Sequence, residues 1–283
     1  MGSFYAYDFE FDGVSSQMFD LKIISFEDGG LFNGIGSSNI NIITQQVLRK
    51  SKPYFLGRTQ EPVLEFKLTF GRAHPISAEE RSIISKWLFG RANYKKLHIL
   101  QDDLLGAYFN CFLTNPEPMY IGGVNYAFQV NVVCDSPFAY RDKKIVFTNA
   151  GNVWRQTIYN NSSEEAYTYP LLTYTLKAGA GVTATDGIIF RKYIDNTYTG
   201  TYSDTRLFPL GDNSSGSINN DTQVITGTPA PGLTILQCFS KNWFKLDPGA
   251  NFIEIWVHKK GVDDWLGYSE GTIEFQERLK VGG

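Results

Sequence analysis

Hydrophobic and polar residues alternate along several segments in the first half of the chain. Between residues 64 and 70 a large apolar residue stands at every second position, and a similar pattern runs from 126 to 134. A period of two places these side chains on one face of a strand. Both segments are therefore predicted to be β-strands with one buried face. Weaker alternation predicts further strands at Leu21–Phe26, Asn39–Thr44, Lys96–Gln101 and Ala107–Leu113.

From about residue 77 the apolar residues recur at a spacing of three to four positions, which predicts a helix. Ser77 and Glu80 have the spacing of a capping box, which marks a helix N-terminus. Gly90 is suited to end the helix. We expect the apolar stripe between them to pack on a sheet. The stripe consists of Ile83, Ile84, Trp87 and Leu88.

Residues 27–62 interrupt these periodic patterns. Glycine-rich turns come first, and a basic segment with Arg49, Lys50, Lys52 and Arg58 follows. Long irregular segments in compact domains are usually functional or mobile. We interpret this segment as an extended loop or hairpin arm that reaches a neighbouring subunit.

A domain boundary is predicted near residue 140. Pro137 cannot donate to a β-ladder and favours an extended residue before it. A polar run follows Tyr140. We therefore expect one domain at 1–140 and a second at 141–283.

The second half predicts strands without a convincing helix. Short apolar segments are separated by clusters of Gly, Asn, Ser and Pro, a pattern typical of an antiparallel sandwich. Within one of these strands Glu254, Trp256 and His258 alternate with apolar residues, and we predict that they form a solvated face. The predicted strands are Tyr167–Leu176, Gly187–Ile194, Thr234–Phe239, Asn251–His258 and Thr272–Leu279.

Composition supports a mainly β fold and excludes some function classes. Aromatic residues make up 15% of the chain, with 16 Tyr and 21 Phe, and aromatic residues suit pleated sheets. The formal charge of −3 gives no sign of the clustered basic face that nucleic-acid binding needs. No segment approaches the roughly 20 apolar residues of a membrane span. We expect a soluble chain made in a cytoplasm, without membrane insertion.

Sequence motifs for catalysis are not apparent. The chain has no phosphate-binding loop and no nucleophile elbow. Its three histidines and three cysteines lie too far apart to predict a zinc site or a disulfide framework. We therefore expect no enzyme activity, metal or cofactor. A hydrolase site assembled in space from distant Ser, His and Asp stays open as an alternative at this point.

Aromatic residues crowd the start of the second half. Exposed aromatic faces can stack on sugars, so these residues are candidate contacts for a saccharide such as one of a cell wall. The alternative is that they are ordinary sandwich residues with their hydroxyls at the rim. The candidates are Trp154, Tyr159, Tyr193, Tyr198 and Tyr202.

Five short motifs occur in order along the chain. They are Phe11-Asp12-Gly13-Val14-Ser15-Ser16 with Phe19-x-Leu21, then Glu61-Pro62, Trp87-Leu88-Phe89-Gly90, Cys134-Asp135-Ser136-Pro137-Phe138-Ala139 and Leu246-x-Pro248-Gly249-x-Asn251. Their order and spacing resemble the distal tail proteins of long, non-contractile-tailed bacteriophages. The resemblance spans nearly the whole chain and is clearer in the first half.

This resemblance implies an architecture and a role. It implies an N-terminal β-sandwich-like domain with one α-helix and an extended arm, which forms a hexameric ring continuing the tail tube. A galectin-like antiparallel sandwich would follow at the ring's periphery. The ring would join the tube protein to tail-tip or baseplate proteins at the virion's tail tip and let the DNA pass. The resemblance implies no catalytic residue.

Overall fold

The computed structural model describes most of the chain as antiparallel β-structure. The mainly β fold predicted from the sequence is confirmed, whereas the galectin-like character of the second half stays a prediction. The described residues are 7–26, 40–47, 50–60, 63–150, 153–164, 166–177, 187–211, 213–258 and 268–280. The motif Glu61-Pro62 lies outside them.

The chain divides into two compact units. The first comprises Met1–Arg141 together with Leu279–Gly283, and the second comprises Asp142–Arg278. The division follows residue 141, and the end of the chain returns to the first unit. The polar run after Tyr140 is not a linker, because it lies inside a strand that runs from Ala139 to Ala150.

Nine strands and one α-helix make up the described part of the first unit. Seven strands form one sheet in the order β2-β1-β7-β8-β9-β6-β3, and β4 pairs with β5 in a separate two-stranded sheet. The elements are β1 (Phe9–Phe11), β2 (Val14–Ser15), β3 (Lys22–Phe26), β4 (Ile40–Gln45), β5 (Tyr54–Gln60), β6 (Glu65–Gly71), α1 (Ala78–Phe89), β7 (Lys95–Ile99), β8 (Phe109–Ile121) and β9 (Val124–Cys134).

Helix α1 confirms the prediction from the capping box. The Ser77 side chain accepts a hydrogen bond from the Glu80 backbone N–H, and the Glu80 carboxylate accepts one from the Ser77 N–H. Trp87 is buried against the sheet, where its ring stacks on Phe9 and its Nε1 donates to the Phe11 carbonyl at 3.0 Å. This contact fixes the helix on the core of the first unit.

Strands β8 and β9 extend beyond this core. The first residues of β8 alternate between buried and half-buried positions, but its last seven residues are all exposed. Gly122 and Gly123 join the two strands with positive φ angles, which glycine adopts at low cost. The hairpin therefore projects an exposed tip from the sheet.

The second unit is built from two antiparallel sheets. One has the order β10-β18-β12-β15-β16, and the other has the order β11-β17-β13-β14. The elements are β10 (Ala139–Ala150), β11 (Trp154–Asn160), β12 (Leu171–Lys177), β13 (Gly187–Tyr193), β14 (Tyr202–Leu207), β15 (Ser215–Asn219), β16 (Val224–Thr226), α2 (Ile235–Cys238), β17 (Gly249–His258) and β18 (Tyr268–Leu279).

A single hydrophobic cluster joins the two sheets of this unit. Leu172 and Tyr174 come from the five-stranded sheet, and Phe190 and Ile255 come from the four-stranded sheet. Side chains from two facing sheets that share one core define a β-sandwich. The predicted sandwich thus has its hydrophobic core between β12 and β18 on one side and β13 and β17 on the other.

The strand predicted at Thr234–Phe239 is wrong. Ile235–Cys238 form one short helix, and Thr234 and Gln237 make a capping box at its start. The hydrogen bonds of this box satisfy backbone groups that would need a neighbouring strand as partner if the segment were a β-strand. Gly232, with φ of +83°, turns the chain just before it.

Candidate interaction surfaces

The β4–β5 hairpin exposes apolar side chains on a sheet of only two strands. Ile42 pairs with Arg58 and Thr44 pairs with Phe55, with a register shift between them. An isolated hairpin cannot bury its own faces and is marginally stable in water. Exposed apolar patches of this kind mark interaction sites. The exposed apolar residues are Ile42, Ile43, Tyr54, Phe55 and Leu56.

The predicted basic arm residues lie on or beside this hairpin. Lys50 and Lys52 are exposed in the segment that joins the two strands. Lys50 Nζ donates to the Tyr54 hydroxyl and lies 5.0 Å from the centre of its ring. Arg58 belongs to β5, and Arg49 lies outside the described residues.

The projecting tip of β8 and β9 is a second apolar surface of the first unit. Met119, Tyr120, Ile121 and Val124 are exposed there. Strand β7 pairs with β8 only from Phe109 to Cys111. Within the described chain, the outer part of β8 therefore has β9 on one side and no paired strand on the other. Such an edge offers free backbone groups to another chain.

A row of alternating charges crosses the outer face of the four-stranded sheet. Arg155 lies opposite Glu254, Glu254 opposite Arg191, and Arg191 opposite Asp204 in the strand register. Arg155 Nε donates to Glu254 at 2.6 Å. Arg191 makes two parallel hydrogen bonds to Asp204 at 2.6 and 2.9 Å. We call these four residues the charge row.

Tyrosines and a tryptophan pack around the centre of the charge row. The Arg191 guanidinium lies 3.6 Å from the Tyr202 ring centre and 4.4 Å from that of Trp256. The Tyr193 hydroxyl donates to Glu254 at 3.0 Å. Tyr198 meets the Tyr193 ring edge-on at 5.6 Å. The aromatic rings exclude water from the charges, which strengthens their interaction.

Burial and hydrogen bonds shift the pKa values in this cluster. Burial disfavours the charged form of Arg191, but its bonds to Asp204 and Tyr193 outweigh this effect and raise its pKa. Burial is the main reason that the pKa of Tyr193 is raised, and its hydrogen bond to Glu254 acts in the same direction. Both groups therefore keep one protonation state over the ordinary pH range, which suits a structural role.

The solvated face predicted for Glu254, Trp256 and His258 is wrong for the first two. Glu254 is 1% and Trp256 is 5% exposed, and the His258 side chain lies outside the described residues. Cross-strand partners explain the difference, because Arg155, Arg191 and Tyr193 cover the carboxylate. The signal in the sequence was the single acidic residue, Glu254, within the apolar segment of β17. Its pairing with arginines on the adjacent strands gives it a structural role.

The five candidate sugar contacts do not form one surface. Tyr193, Tyr198 and Tyr202 lie together, but Tyr193 is buried by the charge row. Trp154 points to the core and packs 5.9 Å from Phe147. Tyr159 is exposed on β11. Exposed aromatic area on this face thus comes mainly from Tyr159 and Tyr202.

The described residues hold no group of three or more His, Cys, Asp or Glu side chains arranged for a metal ion. The cysteines are buried, and burial raises the pKa of the Cys134 thiol to about 12. A buried thiol with so high a pKa is a poor nucleophile. Over the same ranges, no helix has the length and apolar character to cross a membrane.

A family model identifies the first half of the chain. The model of a phage tail protein N-terminal domain matches residues 4–136, just under half of the sequence. This match shows that the first half of the chain is similar to a phage tail protein N-terminal domain. Among curated proteins none matches the chain in sequence.

Solved structures show which fold this chain shares. The Dit protein of phage SPP1 is similar with a TM-score of 0.62 and 11% identity, covering 97% of this chain and 100% of that one. A chain of the phage p2 baseplate covers 95% of this chain and 97% of its own, with a TM-score of 0.47 and 10% identity. The SPP1 match shows a shared fold over both units, and the resemblance to distal tail proteins is confirmed.

Proposed function

We propose that this chain is the distal tail hub of a long, non-contractile phage tail. It is a non-enzymatic structural protein that forms a hexameric ring, joins the tail tube to the tail-tip or baseplate proteins, and lets the DNA pass through its lumen. The SPP1 Dit protein, whose fold this chain shares, is described as a paradigm of the hub adsorption apparatus in phages that infect Gram-positive hosts. The similarity of its first half to a phage tail protein N-terminal domain supports a place in the virion tail. Synthesis in the host cytoplasm is part of the same proposal.

The exposed β4–β5 hairpin is the observation that carries this proposal. Burial of its exposed apolar side chains against another surface would lower the free energy, so the hairpin favours such a contact. The other copies of the chain present the apolar tip and open edge of β8. Contacts between two different surfaces of identical chains close into a ring when the rotation fits. The basic residues Lys50 and Lys52 would add polar contacts at the rim of each interface.

The overall charge is compatible with DNA passage. The formal net charge is −3, so the ring carries no general excess of positive charge. Tight DNA binding depends on many lysine and arginine contacts to phosphates. A lumen without such contacts would let the DNA slide through without being held.

The mass and shape of the purified protein test this proposal. Light scattering after size exclusion, over rising concentration, should detect particles of six times the chain mass of 31.9 kDa. Negative-stain images should show a ring with a central hole. If the chain stays monomeric both alone and when mixed with its tail tube protein, the ring is refuted.

Charged substitutions in the hairpin test the role of the arm. The double variant Phe55→Glu with Leu56→Glu should lose the ring, because each glutamate would have to be desolvated at the interface. Leu236→Glu is the matched control, since Leu236 is equally exposed but lies on α2 of the second unit. Rings that persist in the double variant would contradict the role given to the hairpin.

A further inference from the structure

A groove opens at one end of the sandwich in the second unit. Three segments line it: Tyr169 just before β12, the turn between β15 and β16, and residues 241–245 before β17. It encloses about 400 Å³, which is within the roughly 300–1,000 Å³ of typical small-molecule sites. Asn242 in the lining donates to the backbone carbonyl of Asp204 at 2.6 Å, but no side chain of the charge row or of its tyrosines lines the groove.

Asn220 holds the three lining segments together. Its side chain is buried, donates to the Pro170 carbonyl at 2.7 Å, and accepts from the Phe244 backbone N–H at 2.7 Å. Both polar ends of this amide are used by the protein, so Asn220 supports the walls instead of contacting a ligand. A groove with fixed walls binds with little loss of conformational entropy.

Two aromatic side chains contribute to the lining. Trp243 is partly buried, and its ring packs 4.6 Å from Phe239, which holds it in place. Tyr169 is 42% exposed. An aromatic face binds the C–H side of a sugar ring by the apolar and quadrupole forces that govern aromatic packing. Trp243 and Tyr169 therefore offer stacking area at two points of the groove.

Polar side chains complete the lining with both donors and acceptors. Asp221 offers a carboxylate, Gln223 an amide, and Lys241 and Lys245 ammonium groups. The Lys245 ammonium also lies 3.7 Å above the Tyr167 ring. Hydroxyl groups need donors and acceptors side by side, and this mixture supplies them. The two lysines outnumber the one carboxylate, which favours ligands with negative groups.

We propose that this groove binds a short saccharide, with preference for one that carries carboxylate or phosphate groups. The combination of two aromatic faces, mixed polar groups and a preset wall carries the inference. Saccharide binding would be an activity beyond the proposed role as a hub. It places the sugar at Tyr169 and Trp243 and not at Tyr193, Tyr198 and Tyr202.

Calorimetric titration of the full-length protein tests the proposal. The probes are chitotetraose and maltohexaose as neutral oligosaccharides, and tetragalacturonate and glucose 1-phosphate as acidic ones. Saturable binding with millimolar affinity or better is expected for at least one acidic probe, and weaker binding for the neutral ones. Failure of all four probes to bind at about 10 mM overturns the proposal.

Two alanine variants locate the site. Tyr169→Ala should weaken binding at least tenfold, and Lys241→Ala should weaken only the acidic probes. Tyr202→Ala, which removes an equally exposed tyrosine from the four-stranded sheet, is the matched control and should bind as the parent does. Binding that survives Tyr169→Ala, or is lost in Tyr202→Ala, would place the site elsewhere and overturn the assignment.

Fold and assembly are followed in the same samples. Circular dichroism and melting temperature should match between Tyr169→Ala and the parent, since the Tyr169 side chain lies at the surface. Ring formation should also be unchanged in this variant. In the parent protein, saccharide binding without rings would contradict the hub, and rings without saccharide binding would contradict only the groove.

Discussion

At the scale of single residues, cross-strand partners decide what a side chain does. The sequence around Glu254 predicted a solvated position, because an acid within a strand is most often exposed. The structure buries it between Arg155 and Arg191, which come from segments far away in the sequence. Pairings between distant strands cannot be deduced from local periodicity, so the charge row was beyond the reach of sequence alone.

Loss of the Glu254 carboxylate should destabilise the second unit. In Glu254→Ala, Arg191 and the Tyr193 hydroxyl lose a buried partner, and we expect the free energy of unfolding to fall by about 3 kcal/mol. Arg155→Met is the control. Because the Arg155 side chain is half exposed, its loss should cost less than about 1 kcal/mol. Urea unfolding measures both values, and equal losses would disprove the central position of Glu254.

At the scale of secondary-structure elements, the best predictions rested on local signals. The capping box and the apolar stripe of α1 lie within a dozen residues, and helix hydrogen bonds are local as well. The sequence therefore predicted its start, its end and three residues of its buried face, Ile84, Trp87 and Leu88. The prediction was wrong for Ile83, which is 51% exposed. The four-residue helix α2 has too few positions to show a period, which explains why Thr234–Phe239 was mistaken for a strand.

The β4–β5 hairpin was predicted in part from composition. Basic residues and missing periodicity indicated an extended loop or hairpin between Gln45 and Arg58, and the structure gives the hairpin. The exposure of Phe55 and Leu56 could not be predicted, because an apolar residue in a strand is normally buried. Whether another element covers an apolar strand depends on the whole fold, and no described element covers these two side chains.

The start of α1 should respond to acid through Glu80. The hydrogen bond from Arg72, with those from Ser77, lowers the Glu80 pKa from 4.5 to about 2. A carboxyl group with a depressed pKa stabilises the fold above its unfolded pKa, and this contribution is lost as pH falls through the folded value. The contribution should therefore disappear between pH 4.5 and about 2.

Glu80→Gln tests this pH dependence. The parent should lose melting temperature more steeply than Glu80→Gln over this range, because the variant has no carboxyl group to protonate. Arg72→Met should likewise flatten the profile, since it removes the largest cause of the shift. Parallel profiles for parent and Glu80→Gln would show that the capping box does not respond to acid.

At the scale of the whole molecule, the buried residues form two hydrophobic clusters. One includes Phe70 and Trp87 of the first unit, and the other includes Phe190 and Ile255 of the second. Pro137 and the polar run after Tyr140 predicted a domain boundary near residue 140. The return of the chain end to the first unit was not predicted, since no local pattern marks which core a terminal strand joins.

Scanning calorimetry should separate the two cores. Truncation of a buried phenylalanine to alanine costs about 3–5 kcal/mol, so Phe70→Ala should lower the transition of the first unit and Phe190→Ala that of the second. Each variant serves as the other's control. If both substitutions shift a single shared transition equally, the two units unfold as one cooperative body.

The chain passes into the second unit along one strand and returns to the first unit along the neighbouring strand. Strand β10 begins at Ala139 and strand β18 ends at Leu279, and the two lie side by side in the five-stranded sheet. Adjacent strands are about 4.8 Å apart. The two points at which the chain crosses between the units are therefore close together. Any foreign module whose termini are equally close could be spliced at these positions. The second unit could in this way be exchanged by recombination, while the sequence of the first unit is inherited unchanged.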